Sequence, residues 1–281
     1  MKRLWQNAWR KLTSNRLAAV SALVIAGVCL FAVLAPWIAP YPYDFQDSRT
    51  LLESPSTQHW MGTDRLGRDL FSRLLYGARI SMAVGIGTAF AALVLGTLYG
   101  AVSGYIGGRT DNIMMRLVDV VYSLPDLLLI ILITVMVGRG VLGIFLALSL
   151  VSWVTVARII RGEVLRLREF SYVEAARAMG LSHSRILWIH ILPNALGVLI
   201  VTVTFRIPAA ILAESTLSFI GLGIAPPAAS WGTLANEGWA AMKFYPHLIL
   251  FPSLVIFITM LAFNFLGDAL RDALDPEHRV R

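Results

Sequence analysis

The chain has 281 residues, of which 57% are hydrophobic and only 15% are charged, and its mean hydropathy is +0.69. Soluble domains carry about 25% charged residues, so the composition excludes an ordinary soluble domain and indicates lipid as the solvent. The single cysteine, Cys29, excludes an intramolecular disulfide and a cysteine-rich metal site. A net charge of +7 is typical of proteins that bind nucleic acid or anionic lipid. The positions of the basic residues along the chain distinguish these two kinds of partner.

Apolar segments in chain order predict an all-α integral membrane protein with six transmembrane helices. Residues 17–39 form an uncharged run of 23 residues, longer than the apolar core of about 7–15 residues in a cleaved signal peptide, so we expect a retained first span. Uncharged runs long enough to span a membrane exclude a β-barrel, because the strands of a barrel alternate apolar and polar residues. The further spans are predicted at residues 80–106, about 116–138, 140–157, about 191–213 and 244–267.

The connections divide the chain into four predicted regions. Within the polar connection 40–79, residues 69–79 have helical apolar periodicity and predict a helix lying at the membrane surface. Gly96, Gly100 and Gly104 predict close helix contact in the second span. The predicted regions are an N-terminal segment 1–16, a first span with a long external loop 17–79, a core 80–267 containing a polar connection 158–190, and a tail 268–281.

The distribution of basic residues predicts the orientation of the chain. With six spans, the N-terminus, the turn at 107–116, the connection at 158–190 and the tail share one side, and they carry 16 Lys and Arg residues. The other side carries 7. Because basic residues concentrate in cytoplasmic loops, both termini are expected in the cytoplasm. Topology then accounts for the net charge, and we expect a lipid partner and no nucleic acid.

Residues for catalysis or nucleotide hydrolysis do not form any recognisable pattern. The five histidines are scattered, no metalloprotease or serine-hydrolase motif occurs, and none of the lysines Lys2, Lys11 and Lys243 follows a glycine as a phosphate loop requires. An enzyme is therefore not expected. Uphill transport by this chain would need an ion gradient or a partner that hydrolyses ATP.

Charged residues inside predicted spans are functional candidates because their burial in lipid is costly. Asp126, Arg206 and Glu214 are the candidates for a translocation path. Asp126 and Arg206, together with Asp119, also have a structural interpretation. Asp126 follows Pro125, which kinks a helix; Arg206 can form a bundle-internal ion pair; and Asp119, near a span end, can snorkel or cap.

The polar connection contains a short predicted helix at residues 172–179. Ser171 and Glu174 have the spacing of a capping box, and Gly180 stands where a left-handed C-terminal cap belongs. The predicted apolar stripe comprises Tyr172, Ala175, Ala176 and Met179. A helix this short is marginal alone, so the stripe must pack either on the chain's own spans or on a partner. Ser182 is predicted to cap a second helix that ends near Pro193.

Four stretches in order resemble permease subunits of bacterial ATP-binding-cassette (ABC) importers, and specifically the C-type permease of oligopeptide and dipeptide importers. The EAA signature is similar: Glu174-Ala175-Ala176, then Gly180, then His190 to Pro193. His190 departs from the isoleucine usual in the wider family and fits the peptide branch. The other three stretches are GTDRLGRDLFSRLLYGARIS at 62–81, LSFIGLGIAPPAASWG at 217–232 and GDALRDALDP at 267–276.

This resemblance implies a type I ABC importer permease fold in the bacterial inner membrane and the following partners. A second permease chain completes the path, two ATP-binding subunits hold ATP and Mg, and an extracytoplasmic binding protein delivers cargo. The chain itself would bind no cofactor. Residues implied in docking to an ATP-binding subunit are Tyr172, Glu174, Ala175, Ala176, Met179 and Gly180. Nickel complexes, glutathione or a siderophore remain alternative cargoes, and a secondary transporter acting alone is the alternative mechanism.

Overall fold

A computed structural model of the chain describes residues 15–274, so the predicted segment 1–16 and the tail 268–281 lie partly outside the described residues. Within this range the regular structure is helical, apart from an isolated bridge between Thr63 and Asp69. The helices are α1 (Arg16–Ile38), α2 (Leu70–Ile106), α3 (Gly108–Tyr122), α4 (Asp126–Val137), α5 (Val141–Leu167), α6 (Ser171–Ala178), α7 (His183–Arg185), α8 (Leu192–Phe219), α9 (Trp231–Trp239) and α10 (His247–Leu274), and a π-helical turn (Ile186–Ile191) joins α7 to α8.

The all-helical architecture is confirmed, and the long helices are apolar enough to cross a membrane. Five such helices are found in the described part of the chain: α1, α2, α5, the continuous segment His183–Phe219 and α10. A sixth crossing arises only if α3 and α4 act together, since these two helices are bent by 83° relative to one another.

The third predicted span is therefore wrong as a single helix. Pro125 lacks an amide proton and disfavours helical backbone at the preceding residue. α3 accordingly ends at Tyr122, and α4 begins at Asp126 with Pro125 as its N-cap. The sequence indicated a kink at this proline, whereas the structure has a complete break.

Two other predicted boundaries also differ from the structure. Residues 70–79 form the first turns of the 37-residue helix α2 and not a separate surface helix. Leu70, Leu74 and Leu75 are buried against the chain, so their apolar face has protein and not lipid as its neighbour. α5 continues to Leu167, ten residues beyond its predicted end, because its polar extension still buries Val164 and Leu167.

Close contact between α2 and α5 confirms the role predicted for the three glycines. A methyl group at Gly104 would lie 2.8 Å from the Arg161 carbonyl oxygen, and one at Gly96 would lie 2.8 Å from the Trp153 carbonyl oxygen. Because Gly96 meets the earlier part of α5 and Gly104 the later part, the two helices run parallel. The chain must therefore return along the bundle between Ile106 and Val141.

The bundle has two differently built ends. At the basic end, defined by the C-termini of α2 and α5 together with α6, buried side chains from α5, α6, the π-turn and α8 form one apolar cluster. At the opposite end, defined by residues 39–69 and 220–246, a second cluster surrounds the fully buried Trp231 of α9. A third cluster joins α2, α4, α5 and α8 between them.

Candidate functional site

The short helix α6 carries the residues implied in docking, and it starts differently from the prediction. Phe170 is the N-cap and makes no side-chain hydrogen bond, so the predicted capping box of Ser171 and Glu174 is wrong. The reason is the turn that leaves α5, in which the Phe170 amide donates to the Leu167 carbonyl at 3.2 Å. This turn delivers the chain to the helix one residue early and leaves Ser171 inside the first turn.

The end of α6 is built as predicted around Gly180, which has φ +75°. The Gly180 amide donates to the Arg177 carbonyl at 2.9 Å, and the Leu181 amide donates to the Ala176 carbonyl at 3.2 Å. These two bonds define a Schellman motif, which requires a left-handed residue that costs glycine nothing. No atom lies within 4 Å of a methyl group placed on Gly180, so backbone conformation alone selects glycine there.

One face of α6 packs on the chain itself. Val173 and Ala176 are buried, with 0% and 1% exposure, in the apolar cluster of the basic end beside Ile186 and Ile191. Tyr172 lies half-buried at the edge of this cluster, and burial raises the pKa of its phenol. The predicted stripe was thus wrong in register: Val173 belongs to the packed face, whereas Ala175 and Met179 do not.

The other face of α6 is open in the described chain. Glu174, Ala175 and Ala178 are exposed, and Met179 is 72% exposed. An exposed methionine beside two alanines forms a shallow, adaptable apolar surface of the kind that binds a partner. Four of the six implied docking residues, Glu174, Ala175, Met179 and Gly180, share this surface. Ala178 belongs to it too, although the EAA signature did not single it out.

The segment after α6 is continuous with a span. The Ser182 hydroxyl accepts from the Arg185 amide at 3.4 Å, which confirms it as a cap. The second helix does not end near Pro193, however. Pro193 lies in the first turn of α8, where a missing amide proton is tolerated. The 37-residue segment His183–Phe219 therefore contains both the π-turn, on which α6 packs, and the span α8.

Charged pairs pin the basic end around this helix. Arg161 of α5 makes two bonds to Asp111 of α3, at 2.6 and 2.5 Å, and Ser103 of α2 donates to the same carboxylate at 2.6 Å. Arg168 reaches back to the Gly104 carbonyl at 3.1 Å. These residues were not predicted as a unit. Their only sequence signal is the high arginine content of 158–190, which predicts the orientation of the chain.

Two of the three path candidates meet in a cavity of about 210 Å³, here named the polar cavity. Arg206 of α8 and Asp126 of α4 line it, and no hydrogen bond or ion pair within 4.0 Å joins their side chains in the described chain. Thr88, Ser152 and Thr155 contribute hydroxyl groups. The sequence indicates the charged pair because a charged side chain within a span has a high free-energy cost in lipid. Nothing in the sequence distinguishes these hydroxyl groups from other hydroxyl groups in spans.

Glu214, the third path candidate, does not line the polar cavity. Its side chain is fully buried, and it accepts from Ser81 at 3.0 Å and from Ser218 at 2.7 Å. Ser81 in turn accepts from the Trp231 amide at 3.2 Å. The carboxyl group thus connects α2, α8 and α9 in one hydrogen-bonded network.

An ion cluster organises the opposite end. Asp64 accepts from Arg68 at 2.7 Å and from Arg73 at 2.6 Å, and both arginines also pair with Glu237 of α9. Arg73 is 1% exposed, which the prediction of a surface helix did not anticipate. The cluster fixes the loop before α2 onto α9, beside a cavity of about 400 Å³.

Together, a bundle of apolar helices, an exposed helix on a polar connection and a charged cavity between spans define a membrane transport protein. Residues 92–280 match the family described as the inner membrane component of binding-protein-dependent transport systems, and residues 3–55 match the N-terminal transmembrane domain of oligopeptide transport permease C. The chain therefore belongs to the family of binding-protein-dependent transport permeases.

Characterised relatives match over nearly the whole chain. The oligopeptide transport system permease protein OppC of Bacillus subtilis (strain 168) is 44% identical, over 98% of this chain and 90% of its own length. The dipeptide transport system permease protein DppC of the same organism is 46% identical, over 98% and 86%. The glutathione transport system permease protein GsiD of Pectobacterium atrosepticum is 40% identical, over 97% and 91%.

The fold agrees with this membership. A chain of the MetNI methionine ABC transporter, solved in inward facing conformations, superposes with a TM-score of 0.60 at 19% identity. The match covers 73% of this chain and 96% of that one. The resemblance to an ABC importer permease, first drawn from the EAA signature, is thus confirmed at the level of family and fold.

Proposed function

We propose that this chain is the membrane-spanning subunit of an ATP-driven importer of oligopeptides or dipeptides, and that it forms half of the translocation path. The observation that carries the coupling mechanism is the two-faced helix α6. Its inner face is fixed in the apolar cluster through Val173 and Ala176, and its outer face is open. Movement imposed on the outer face is therefore transmitted to α8 through a packed core, because packed interiors transmit strain.

The partner at the outer face of α6 is one of two ATP-binding subunits. These subunits hold ATP and Mg, while this chain contributes no catalytic residue. A second permease subunit, a different chain, completes the path, and an extracytoplasmic binding protein delivers cargo. Family membership supports these partners, since a binding-protein-dependent system needs a delivering protein and an energy source.

The chain crosses the bacterial inner membrane six times, with both termini in the cytoplasm. The parallel course of α2 and α5 supports this count, because α3 and α4 must together carry the chain back across the bundle. The excess of basic residues at the end that holds α6 supports the orientation. The helix α6 then lies on the side of the membrane where ATP is present.

Peptide cargo is supported by the names of the relatives at 44% and 46% identity. Glutathione, named for a relative at 40% identity, is the alternative cargo, and it is itself a short peptide. Uptake by the assembled complex of a mixed peptide pool against glutathione alone distinguishes the two. A stand-alone transporter is tested in the same assay, since it predicts uptake without ATP or partner subunits.

Replacing Gly180 tests the coupling role of α6. A β-branched residue at φ +75° is strained by about 1–2 kcal/mol. This strain shifts the equilibrium away from the left-handed cap conformation by a factor of about 5 to 30. We expect Gly180→Val to insert into the membrane normally but to lose uptake and cargo-stimulated ATP hydrolysis together. Gly180→Asn, whose side chain tolerates this conformation, should lose much less.

Gly108→Val is the matched control. Gly108 also has a positive φ, +58°, with no atom within 4 Å of an added methyl group, and it begins α3, outside α6. Comparable backbone strain there should leave coupling intact. Full uptake and stimulated hydrolysis in Gly180→Val, or equal losses in both valine variants, would contradict docking through α6.

A further inference from the structure

The polar cavity lies close to the middle of the helix bundle. Thr88 stands at the midpoint of α2, and Ser152 and Arg206 stand near the middle of α5 and α8. Its surroundings are otherwise apolar. A cation, an anion and hydroxyl groups on one cavity wall are costly at such depth unless they face water, cargo or a partner.

The break between α3 and α4 indicates that this wall does not face lipid. Residues 122–128, which include Asp126, are exposed in the described chain. Irregular backbone at membrane depth is tolerated only where it is buried in protein or lines a water-filled cavity. The broken helix thus borders a space that lipid does not fill.

Thr88 supplies an independent indication of a ligand. Its side chain is 0% exposed, it lines the polar cavity, and its hydroxyl oxygen has no hydrogen-bond partner in the structure. A buried hydroxyl left unpaired costs free energy, and a turn of the Thr88 side chain toward a group in the cavity gains that energy back. The cavity therefore offers one cationic donor, one anionic acceptor and one unused hydroxyl.

We propose that the polar cavity is a transit site for the free ends of peptide cargo, in which Arg206 binds the carboxylate end and Asp126 binds the ammonium end as each end passes. Thr88 donates to or accepts from the adjoining peptide group. The guanidinium plane suits a carboxylate, and the pair of opposite charges leaves the cavity without net preference for cationic or anionic side chains. The proposal rests on the proposed function of peptide import.

The size of the cavity fits brief contact with one end of a cargo. Its volume of about 210 Å³ is below the range of about 300–1,000 Å³ in which proteins enclose small ligands. A transport site must also bind weakly enough to release its cargo. The transit site is thus expected to favour free peptide termini without selecting the cargo, which leaves selection to the binding protein.

The test is uptake by the whole reconstituted complex with its binding protein. The probe is a mixed pool of di- to pentapeptides, half of each sequence amidated at its C-terminus, with uptake read by mass spectrometry. In Arg206→Gln, the ratio of the uptake of free peptides to the uptake of amidated peptides should fall about tenfold relative to the unmodified complex. A tenfold change corresponds to the loss of one hydrogen bond to a charged group. The binding protein is identical in both, so its own discrimination cancels.

Two further variants complete the design. Asp126→Asn should reduce the preference for free over N-acetylated peptides. Thr88→Val removes a hydroxyl that has no partner in the chain, so it should fold normally and still lower uptake of unmodified peptides. It keeps the proposal testable if either charge variant fails to assemble. The exposed residues Arg139 and Asp44 provide the matched controls Arg139→Gln and Asp44→Asn.

Each other outcome contradicts the transit site. Equal losses of free and amidated peptides in Arg206→Gln would mark a structural role, and unchanged uptake of both pools would mark no role. Unchanged uptake in Thr88→Val would remove its hydroxyl from the site. Uptake of neither pool by the unmodified complex would overturn peptide import itself, which distinguishes failure of the proposed function from failure of the site.

Discussion

Glu214 shows how a single charged residue in a span organises the fold around it. Its carboxyl group is the acceptor for Ser81 and Ser218, and through Ser81 it reaches the backbone of Trp231. All of these groups are buried. Buried polar groups of three helices therefore depend on one carboxyl group for their hydrogen bonds. Removing one member of such a buried hydrogen-bonded network leaves the other members unpaired, which is costly at low dielectric.

Replacing Glu214 should destabilise the chain in a graded way. Glu214→Ala leaves two buried hydroxyls without their acceptor, at about 1–3 kcal/mol each, and opens a void. Glu214→Gln keeps the volume and one oxygen, so its loss should be smaller. Thermal unfolding of the purified chain in detergent measures the order, with Glu169→Ala, whose side chain is 72% exposed, as control. Equal unfolding temperatures for Glu214→Ala and Glu169→Ala would contradict the network.

At the same scale, the sequence predicted charged candidates better than it predicted their neighbours. Arg206 and Asp126 were found because a charge within an apolar run stands out, and the structure brings both to one cavity. The unpaired hydroxyl of Thr88 was beyond prediction, since threonines in spans commonly bond to their own helix, as Thr202 and Thr204 do here. Only tertiary packing determines which hydroxyl is left over.

Among the elements, the register of α6 shows why a short helix is hard to orient from sequence. Its eight residues include apolar or small side chains on every face, so more than one stripe satisfies helical spacing. Packing against Ile186 and Ile191 selects Val173 and Ala176. The C-terminal cap was predictable because Gly180 acts through local backbone conformation, whereas the N-cap depends on the turn leaving α5.

The parallel pair α2 and α5 depends on glycines that permit backbone contact. A methyl group at Gly100 would collide with the Ala157 carbonyl oxygen, whereas one at Gly162 of α5 would meet no atom within 4 Å. Gly100→Ala should therefore cost about 1–3 kcal/mol through overpacking. Gly162→Ala should gain about 0.5–1 kcal/mol, because alanine loses less conformational freedom in a helix.

Unfolding of both variants under the same detergent conditions measures this difference. The two substitutions are chemically identical, and both lie in helices of the same contact pair. Opposite changes in unfolding temperature are expected. A stabilised Gly100→Ala variant would mean that α2 and α5 do not approach as closely as the structure places them.

For the whole molecule, the number and order of the long helices were largely predictable because lipid imposes length and hydrophobicity on each span. The polar boundaries were not. The sequence predicts a loop at residues 158–167, yet these residues extend α5 because their apolar side chains pack under α6. The sequence predicts a surface helix at residues 69–79, yet the ion cluster of Asp64, Arg73 and Glu237 holds this segment inside the fold.

Cysteine labelling tests the six-span topology at three exposed positions. Ser230, in the loop before α9, is unsuitable because its side chain is fully buried. With Cys29 replaced by serine, we expect Thr57→Cys and Arg139→Cys to react with an impermeant maleimide in intact spheroplasts. Ser184→Cys should react only after the inner membrane is permeabilised, because α7 lies at the basic end. All three positions are exposed, so access is set by the membrane and not by burial.

Position 139 follows the bent pair, and protection there alone would mean that α3 and α4 re-enter without crossing. Protection of position 57 with labelling of position 184 would reverse the orientation and remove α6 from the side that holds ATP.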